Sequence, residues 1–351
     1  MIKCVVWDLD NTVWGGVAAE ADTNTMPQPN PAILDIISEL EQRGIVNSVA
    51  SRNDPSVMER LLAHPDLQGR FVAPQISWEP KSTSLRRIAD KLNIGLDALA
   101  FVDDSPFERA EVQYVLGDVL VLSPDEIGAA LSTRAFSGGS TQESARRTEM
   151  YRQEDDRKRA ESDFRGDRQA FLKWCDMQLT IAPANEADLS RIHELTERTH
   201  QLNSTGRSYS LEQLQERMHD PRWLMPIASL TDRFGDYGMI GAALVDTTPP
   251  WPPEVWLLEL VMLSCRVEGR GIPAALVRWI LAQAIEAGMK GIRAVYSINE
   301  QNLPIRLLFR QTGFSKVAGD SFVTVSRDLS VPLPDYPQWL NVHSNMEARE
   351  A

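Results

Sequence analysis

The sequence predicts an α/β first half, built as a doubly wound parallel sheet, followed by a second half of the α+β class. Strand and helix patterns alternate with short links over residues 1–132, which is typical of a parallel sheet wrapped by helices. Strand patterns outnumber helix patterns in the middle of residues 166–330, which argues against a second doubly wound sheet. At 351 residues the chain is long enough for two domains of ordinary size.

The first half opens on a strand, CVVW, whose β-branched and aromatic residues predict burial. The helix PAILDIISELEQ ends near Gly44, and the strand IVNSVAS follows it. The helices SVMERLLAH, SLRRIADKLNIG and PFERAEVQYVLG then alternate with the strands LAFV and VLVL. Three of the strands lead directly into polar residues, DLD, SRND and VDDS. Ligands bind at the carboxyl ends of such strands, so we expect these residues to form one site.

Residues 133–165 are predicted to be a linker followed by a charged, solvated helix. The stretch TRAFSGGSTQESA is small and polar, and RRTEMYRQEDDRKRAESDF is dense in charges of both signs.

The second half is predicted to contain a helix (RQAFLKW), a strand (MQLTIAP) and a helix over 188–203 (DLSRIHELTERTHQLN). The strands WLMPIASLTD, MIGAALVDTT and VWLLELVML come before the helix PAALVRWILAQAIEAG, the strand IRAVYSI and the helix IRLLFRQ. Residues 331–351 are expected to be a C-terminal tail.

Composition restricts the partners and the compartment. The net charge of -13 argues against nonspecific binding to nucleic acid or to an anionic membrane, since both require basic patches. The chain has no apolar run of about 20 residues, so no membrane span is predicted. Its cysteines, Cys4, Cys175 and Cys265, show neither a disulfide framework nor zinc spacing, and we expect a cytoplasmic protein.

The polar strand ends supply the groups that phosphoryl transfer needs. Asp8 and Asp10 stand at the end of the first strand, and a hard cation such as Mg²⁺ prefers carboxylate oxygens. Asp103 or Asp104, from a neighbouring strand end, adds a further carboxylate. A lone DxD pattern usually marks a strand end that is simply exposed to solvent. Solvation alone does not explain why several successive strands of the same predicted sheet all end in polar residues.

Other residues of the same edge suit a phosphate. Ser51 or Asn53 follows the second strand and offers hydrogen bonds, and Lys81, after Pro80, brings a positive charge.

Residues 1–130 contain four short stretches that resemble the four motifs of the haloacid dehalogenase superfamily: DLDNT, SRN, PK and VDD. The resemblance implies that Asp8 is a nucleophile that forms an aspartyl-phosphate and that Asp10 is the general acid/base. It implies that Asp103, with Asp104, binds Mg²⁺ alongside Asp8 and the backbone of Asp10. The resemblance also assigns phosphate binding to residues of these motifs and of the rim of the site: Thr12, Ser51, Arg52, Asn53 and Lys81.

The stretch between Asp10 and Ser51 is short, and one helix uses part of it. No large cap domain fits there, so we expect an open site or one that another domain closes.

The second half contains a strand, a glycine-bearing turn and a helix in LSCRVEGRGIPAAL, an arrangement that can bind an anion through backbone N–H groups. Together with NEQNLPIRLLFRQTGF, it resembles the acyltransferases of the GNAT fold over residues 178–328. Glu268 departs from the family pattern, and a carboxylate beside a pyrophosphate is unfavourable, which favours a pantetheine arm with a single phosphate over coenzyme A. A domain used only for docking is the alternative. The resemblance gives these pantetheine-binding candidates: Arg266, Gly269, Arg270, Gly271, Asn299 and Asn302.

Cys265 ends the strand beside the expected thioester, so it is a candidate to carry an acyl group. Cys4 and Cys175 lie within apolar patterns and are expected to pack in the core.

Both halves together resemble the FkbH-like family of polyketide biosynthesis, a subfamily IIIC haloacid dehalogenase phosphatase domain fused to a GNAT-like domain. The resemblance rests on five stretches of the sequence: KCVVWDLDNTVW, VASRND, PQISWEPKS, ELTERTHQLN and LSCRVEGRG. It implies an enzyme that takes D-1,3-bisphosphoglycerate, removes phosphate, and loads a glyceryl unit on the 4'-phosphopantetheine arm of an acyl carrier protein. The glyceryl unit would serve methoxymalonyl or related three-carbon units. The alternative is a stand-alone small-molecule phosphatase whose GNAT-like domain only caps the site or docks a carrier protein.

Overall fold

A computed structural model describes most of the chain, namely residues 1–18, 27–137, 141–199, 202–248, 254–298, 302–319 and 322–345. Within these ranges the side chains of Arg60, Gln142 and Cys265 are not described. The chain forms two compact units, Met1–Asp155 and Asp156–Ala351. Their division falls inside the stretch 133–165. Across the described ranges, no helix combines the length and the apolar character that crossing a membrane requires.

The first unit contains a parallel sheet in the order β3-β2-β1-β4-β5. Its strands are β1 (Cys4–Trp7), β2 (Val46–Ser51), β3 (Gln75–Ile76), β4 (Leu99–Val102) and β5 (Leu120–Leu122). Its helices are α1 (Pro31–Gln42), α2 (Val57–Ala63), α3 (Lys81–Leu92), α4 (Pro106–Val115), α5 (Ile127–Ala130) and α6 (Gln142–Ala145), and α7 (Arg147–Asp163) runs across the division between the units. The predicted doubly wound parallel sheet is confirmed.

Strand β1 is the centre of this sheet, and its side chains alternate between two cores. Val5 and Trp7 pack with residues of α1, α2 and α5, whereas Cys4 and Val6 pack with residues of α3 and α4. Helices therefore cover both faces, which explains why CVVW is buried throughout. Burial raises the pKa of the Cys4 thiol well above its usual range, as suits a packing residue.

The carboxyl ends of β1 and β4 lie level with each other, and β2 continues two residues further, to Ser51. Trp7, the last residue of β1, pairs with Val49 of β2 on one side and with Val102 of β4 on the other. The backbone N–H of Asp8 then donates to the carbonyl of Val102 over 2.9 Å. The residues that follow these strands share one edge of the sheet, as the sequence predicts.

The connection from β1 to β2 contains α1 as its one helix in the described residues 8–18 and 27–45. Helix α1 begins with Pro31 at its first position, and the side chain of Asn30 accepts a hydrogen bond from the N–H of Ala32. The described part of this connection holds no large cap.

The second unit is built on a sheet in the order β12-β13-β11-β10-β9-β8-β6-β14, with β7 paired to β9. Its strands are β6 (Met177–Pro183), β7 (Trp223–Leu224), β8 (Pro226–Asp232), β9 (Gly235–Asp246), β10 (Val255–Leu263), β11 (Gly291–Ser297), β12 (Ser315–Ala318), β13 (Phe322–Asp328) and β14 (Leu340–Ser344). Its helices are α8 (Arg168–Trp174), α9 (Leu189–Arg198), α10 (Leu211–His219), α11 (Ile272–Glu286) and α12 (Leu303–Gln311). Parallel pairs (β10 with β11, β6 with β14) and antiparallel pairs share the sheet, so the predicted α+β class is confirmed.

Two predicted segments of the second unit differ from the structure. The helix predicted over 188–203 ends at Arg198, because Thr199 is extended, and residues 202–204 pair with β10 instead. The predicted tail 331–351 contributes strand β14, which pairs in parallel with β6. Both differences arise because pairing with a distant strand outweighs the local pattern.

Candidate functional site

The centre of the site is the buried ammonium group of Lys81, the first residue of α3. Its Nζ donates to Asp8 Oδ1 over 2.5 Å and to the carbonyl of Ala50 over 2.8 Å. The same Nζ lies 2.9 Å from Asp103 Oδ2 as an ion pair. The predicted lysine is thus held between carboxylates from β1 and β4 and the backbone of β2.

The protonation equilibria of this cluster reflect burial and mutual charge. Burial raises the pKa of Asp8 above its usual range, the Lys81 ammonium opposes this shift, and the Asp103 carboxylate adds to it. Burial alone would lower the pKa of Lys81, but the carboxylates of Asp8 and Asp103 outweigh burial and raise it. Burial and Asp103 raise the pKa of the more exposed Asp104.

Asp8, Asp103 and Asp104 form a group that fits a divalent cation. One carboxylate oxygen from each lies within 4.8 Å of the others. Asp103 Oδ2 is buried and lies 2.9 Å from the Lys81 ammonium, and a carboxylate oxygen has a second lone pair that can bind a metal. An all-oxygen set with two buried carboxylates suits Mg²⁺.

The Asp10 side chain is held by three hydrogen bonds. Its Oδ1 accepts from Trp14 Nε1 at 2.8 Å and from the backbone N–H of Ala18 at 2.9 Å. Its Oδ2 accepts from Asn53 Nδ2 at 2.9 Å. The Asp10 carboxylate is not part of the group formed by Asp8, Asp103 and Asp104.

The remaining predicted phosphate ligands are placed differently from one another. Ser51 is buried at the end of β2, and Thr12 Oγ1 accepts from the N–H of Asp104 at 3.1 Å. Asn53 is buried, and its amide Nδ2 donates to Asp10 Oδ2. The exposed Arg52 donates to Glu108 Oε1 over 2.9 Å, at the rim.

Three residues that support the site were missed by the sequence reasoning. Trp14 donates to Asp10, Arg109 Nη1 donates to the carbonyls of Asp103 and Asp104 at 2.7 and 2.8 Å, and the N–H of Ser105 donates to Asp103 Oδ1 at 2.8 Å. Trp14 could have been found from its place just after the DLD motif. The backbone contacts of Arg109 leave no signal in a sequence.

In the second unit, the predicted glycine turn precedes α11. Gly269 and Gly271 have φ of 74° and 81°, in the left-handed region that favours glycine. A Cβ on Gly271 would meet Pro337 at 2.7 Å, and Trp339 Nε1 donates to the carbonyl of Arg270 over 2.9 Å. The turn is therefore covered by the segment that precedes β14.

The predicted arginines of this turn contact the protein itself. Arg270 is buried and donates from Nη1 to the hydroxyl of Tyr237, whose ring it also faces. Arg266 donates from Nε to Ser264 Oγ over 3.2 Å and from Nη2 to the carbonyl of Tyr237 over 3.5 Å.

The other second-unit candidates are only partly described. Asn302 is fully buried, and its Nδ2 donates to the carbonyl of Ser297 at the end of β11. The backbone of Cys265 lies in a short 3-10 helix just after β10, and its side chain is outside the described part of the chain, as is Asn299.

No protein-family model matches the chain. No curated protein matches it either. Among solved structures, it is similar to the phosphatase-domain-containing N-terminal part of a Bacteroides fragilis protein complexed with Mg, with 28% identity over 38% of this chain and a TM-score of 0.33. The match spans 40% of the Bacteroides fragilis chain.

Two acetyltransferases are also similar to the chain. A Vibrio cholerae spermidine N-acetyltransferase in complex with CoA and spermine matches with 16% identity over 44% of this chain and 96% of its own, with a TM-score of 0.34. The Escherichia coli ribosomal-protein-S18-alanine N-acetyltransferase matches with 14% identity over 44% of this chain and 96% of its own, also with a TM-score of 0.34. Each of these likenesses covers less than half of the chain.

Proposed function

We propose that the chain is a Mg²⁺-dependent bifunctional glyceryltransferase and phosphatase. Its substrate would be D-1,3-bisphosphoglycerate, and its product a glyceryl thioester on the phosphopantetheine arm of an acyl carrier protein for polyketide biosynthesis. The observation that carries the phosphatase half is the buried cluster in which Lys81 lies between Asp8 and Asp103 at the shared edge of the sheet. The motif resemblance across both halves of the sequence supports the glyceryl and carrier half.

The first unit supplies the phosphate chemistry. An Asp8 oxygen attacks phosphorus, the bond from phosphorus to the ester oxygen breaks, and Asp10 protonates the departing alcohol. Water then attacks the aspartyl-phosphate with Asp10 as base, which releases inorganic phosphate and restores Asp8. Lys81 offsets negative charge on the transferring group. Bound by Asp8, Asp103 and Asp104, Mg²⁺ would supply Lewis-acid polarisation of a phosphate oxygen.

The second unit supplies the acyl chemistry. The thiolate of Cys265 attacks the carbonyl carbon of the acyl phosphate, and inorganic phosphate leaves. The thiol of the pantetheine arm then attacks the resulting thioester, which frees Cys265 and leaves the glyceryl group on the carrier. No ATP is needed, because the acyl phosphate is already activated.

A second candidate function is favoured by one observation. Pro337 and Trp339 cover the glycine turn of the second unit, as expected if that unit only docks a carrier protein and the chain acts as a small-molecule phosphatase.

The two candidate functions predict different masses for the carrier protein after incubation with the substrate. We would incubate the protein with D-1,3-bisphosphoglycerate, Mg²⁺ and holo carrier protein, and follow both carrier mass and phosphate release. A glyceryl adduct supports the bifunctional enzyme, whereas phosphate release with no adduct on any carrier tested supports the stand-alone phosphatase.

Asp8→Asn separates the two half-reactions. If the acyl step is independent of the phosphatase site, this variant accumulates a phosphoglyceryl adduct on the carrier. The matched control is Asp118→Asn, at an exposed carboxylate of the same unit, which should form the glyceryl adduct as the unmodified chain does.

A further inference from the structure

Helix α12 of the second unit is anchored in the core by one face only. Ile305, Leu308 and Phe309 are buried in the main core of this unit. The ring of Phe309 stacks on that of Tyr296 with 5.9 Å between centroids, and it packs edge to face against Phe314 at 5.2 Å. These contacts fix the rotation of the helix about its axis, so the residues on its other side have defined positions on the surface.

The outer face of α12 combines leucine and arginine. Leu303 and Leu307 are 52% and 47% exposed, and Arg306 and Arg310 are exposed as well. These four residues, which we call the α12 stripe, are spaced i, i+3, i+4 and i+7 and therefore follow one side of the helix. A single exposed leucine needs no explanation, but two on one helix face form an apolar patch, and arginine is enriched at protein interfaces.

The arginines of the stripe have no acidic partner within the described part of the chain. Neither Arg306 nor Arg310 forms an ion pair with a described residue. By contrast, the exposed guanidinium groups of Arg87 and Arg222 pair with Glu79 and Asp246. The two charges of the stripe are therefore available to carboxylates of another molecule.

The surroundings of the stripe are basic, although the chain as a whole is acidic. Residues 302–319 contain Arg306, Arg310 and Lys316 and neither Asp nor Glu, in a chain whose net charge is -13. Lys316 is exposed on β12, the edge strand of the sheet. Opposite charge steers association and selects the partner, so this surface fits an acidic protein. A second copy of the chain is disfavoured, because two molecules with this net charge repel each other.

The helix that bears the stripe is a neighbour of the candidate arm-binding turn. Helix α11 begins at Ile272, directly after the glycine turn that contains Gly269 and Gly271, and it packs against α12. A protein that docks on α12 is thus held by the helix next to the one that this turn opens.

We propose that the α12 stripe is the docking surface for the acyl carrier protein, and that it binds a face of the carrier on which carboxylates surround apolar side chains. This inference rests on the proposed function, which names the carrier as the partner. Arg306 and Arg310 pair with the carboxylates, and Leu303 and Leu307 pack on the apolar side chains. The stripe recognises the body of the carrier and not its pantetheine arm.

Charge reversal on α12 tests the electrostatic half of the proposal. Each holo carrier protein of the loading assay is titrated into the full chain in a calorimeter. Arg306→Glu/Arg310→Glu should weaken carrier binding about tenfold or more, whereas Arg306→Lys/Arg310→Lys, which keeps both charges, should retain most of it. The matched control is Arg165→Glu/Lys173→Glu, which makes the same change of charge at exposed residues of the same unit and should bind the carrier normally.

Salt and alanine substitution separate the two kinds of contact. Added NaCl should weaken carrier binding by the unmodified chain and much less by the charge-reversed variant. Leu303→Ala/Leu307→Ala should weaken binding about threefold or more while the salt dependence remains. Leu211→Ala, at a leucine of α10 that is 41% exposed, is the control and should bind normally. Urea denaturation verifies that each variant is folded, since exposed substitutions change stability little.

The outcomes distinguish a failure of this inference from a failure of the proposed function. Equal affinity of the charge-reversed variant and its control overturns the docking surface, as does the absence of carrier binding by the unmodified chain. If the charge-reversed variant loads the carrier with an unchanged KM for the carrier, the inference fails and the proposed function stands. If binding depends on the stripe but no form of the protein produces a carrier adduct, the proposed acyl transfer fails and the docking surface stands. A dimer of the unmodified chain that charge reversal dissociates in sedimentation assigns the stripe to a second copy and overturns the proposal.

Discussion

Asn53 and Asp10 are joined by a hydrogen bond of 2.9 Å, from Nδ2 to Oδ2, which connects the residues after β2 to the loop after β1. The bond fixes the carboxylate that is proposed to move protons, so Asn53→Ala should lower kcat for phosphate release with little change in KM. A hydrogen bond to a charged group contributes about 1.5–3 kcal/mol, which corresponds to a loss of about 10- to 100-fold.

A double-mutant cycle checks that Asn53 acts through Asp10. In an Asp10→Asn background, Asn53→Ala should have almost no further effect on kcat. Equal losses in both backgrounds, or an effect confined to KM, would instead place Asn53 on the substrate phosphate.

Trp14 holds the other oxygen of Asp10, and it shares that oxygen with the N–H of Ala18. Trp14→Phe keeps an aromatic ring in the core but removes the Nε1 donor. Because the Ala18 contact remains, we expect a smaller loss of kcat than for Asn53→Ala, about 3- to 10-fold. Trp78→Phe, at a largely exposed tryptophan, is the control and should leave steady-state phosphate release unchanged.

Lys81 separates two buried carboxylates, and its removal should destabilise the first unit. Breaking a buried ion pair from one side costs roughly 3–5 kcal/mol, because the remaining charges are uncompensated. We expect Lys81→Met to lower the free energy of unfolding in EDTA by this amount, as measured by urea denaturation. Added Mg²⁺ should recover part of the loss, since a divalent cation offsets the same carboxylates.

Lys91→Met is the matched control, because Lys91 lies on the same helix α3 and is exposed. It should change the free energy of unfolding little. A Mg²⁺ response of equal size in both variants and the unmodified chain would show that the carboxylates beside Lys81 do not bind the ion.

Cys265 and Cys175 should respond in opposite ways to alanine substitution. Cys265→Ala should abolish loading of the carrier while phosphate release by the first unit continues. Cys175 is buried and packed, and burial raises its pKa to about 11, so Cys175→Ala should load the carrier normally. Carrier mass and released phosphate are measured together, and normal loading by Cys265→Ala would remove this residue from the mechanism.

Much of the first site could be predicted from the sequence because strand order fixes it. Asp8 and Asp103 directly follow β1 and β4, which are neighbours in the sheet, and Lys81 begins the helix beside them. The partners of Asp10 could not be assigned in this way. An asparagine near a strand end can bind a phosphate or a carboxylate equally well, and only the fold shows that Asn53 contacts Asp10.

The second unit was harder to predict because segments far apart in the sequence cover its candidate site. The glycine turn is recognisable locally, but Pro337 and Trp339 cover it from 66 and more residues away. Residues 202–204 continue a helical pattern in the sequence, yet they form main-chain hydrogen bonds to β10 instead. Local periodicity contains no information about such partners.

Asp8 directly follows the last paired residue of β1, and the site should therefore be sensitive to any change in the length of this strand. Because Trp7 is in register with both neighbouring strands, the sheet, and not a loop, sets the height and direction of the Asp8 side chain. Deleting one residue from CVVW would shift Asp8 by about 3.3 Å and invert the facing of the strand. The DLDNT motif would survive in such a chain while Asp8 no longer met Lys81, so the spacing between motif and strand matters to the site as much as the motif does.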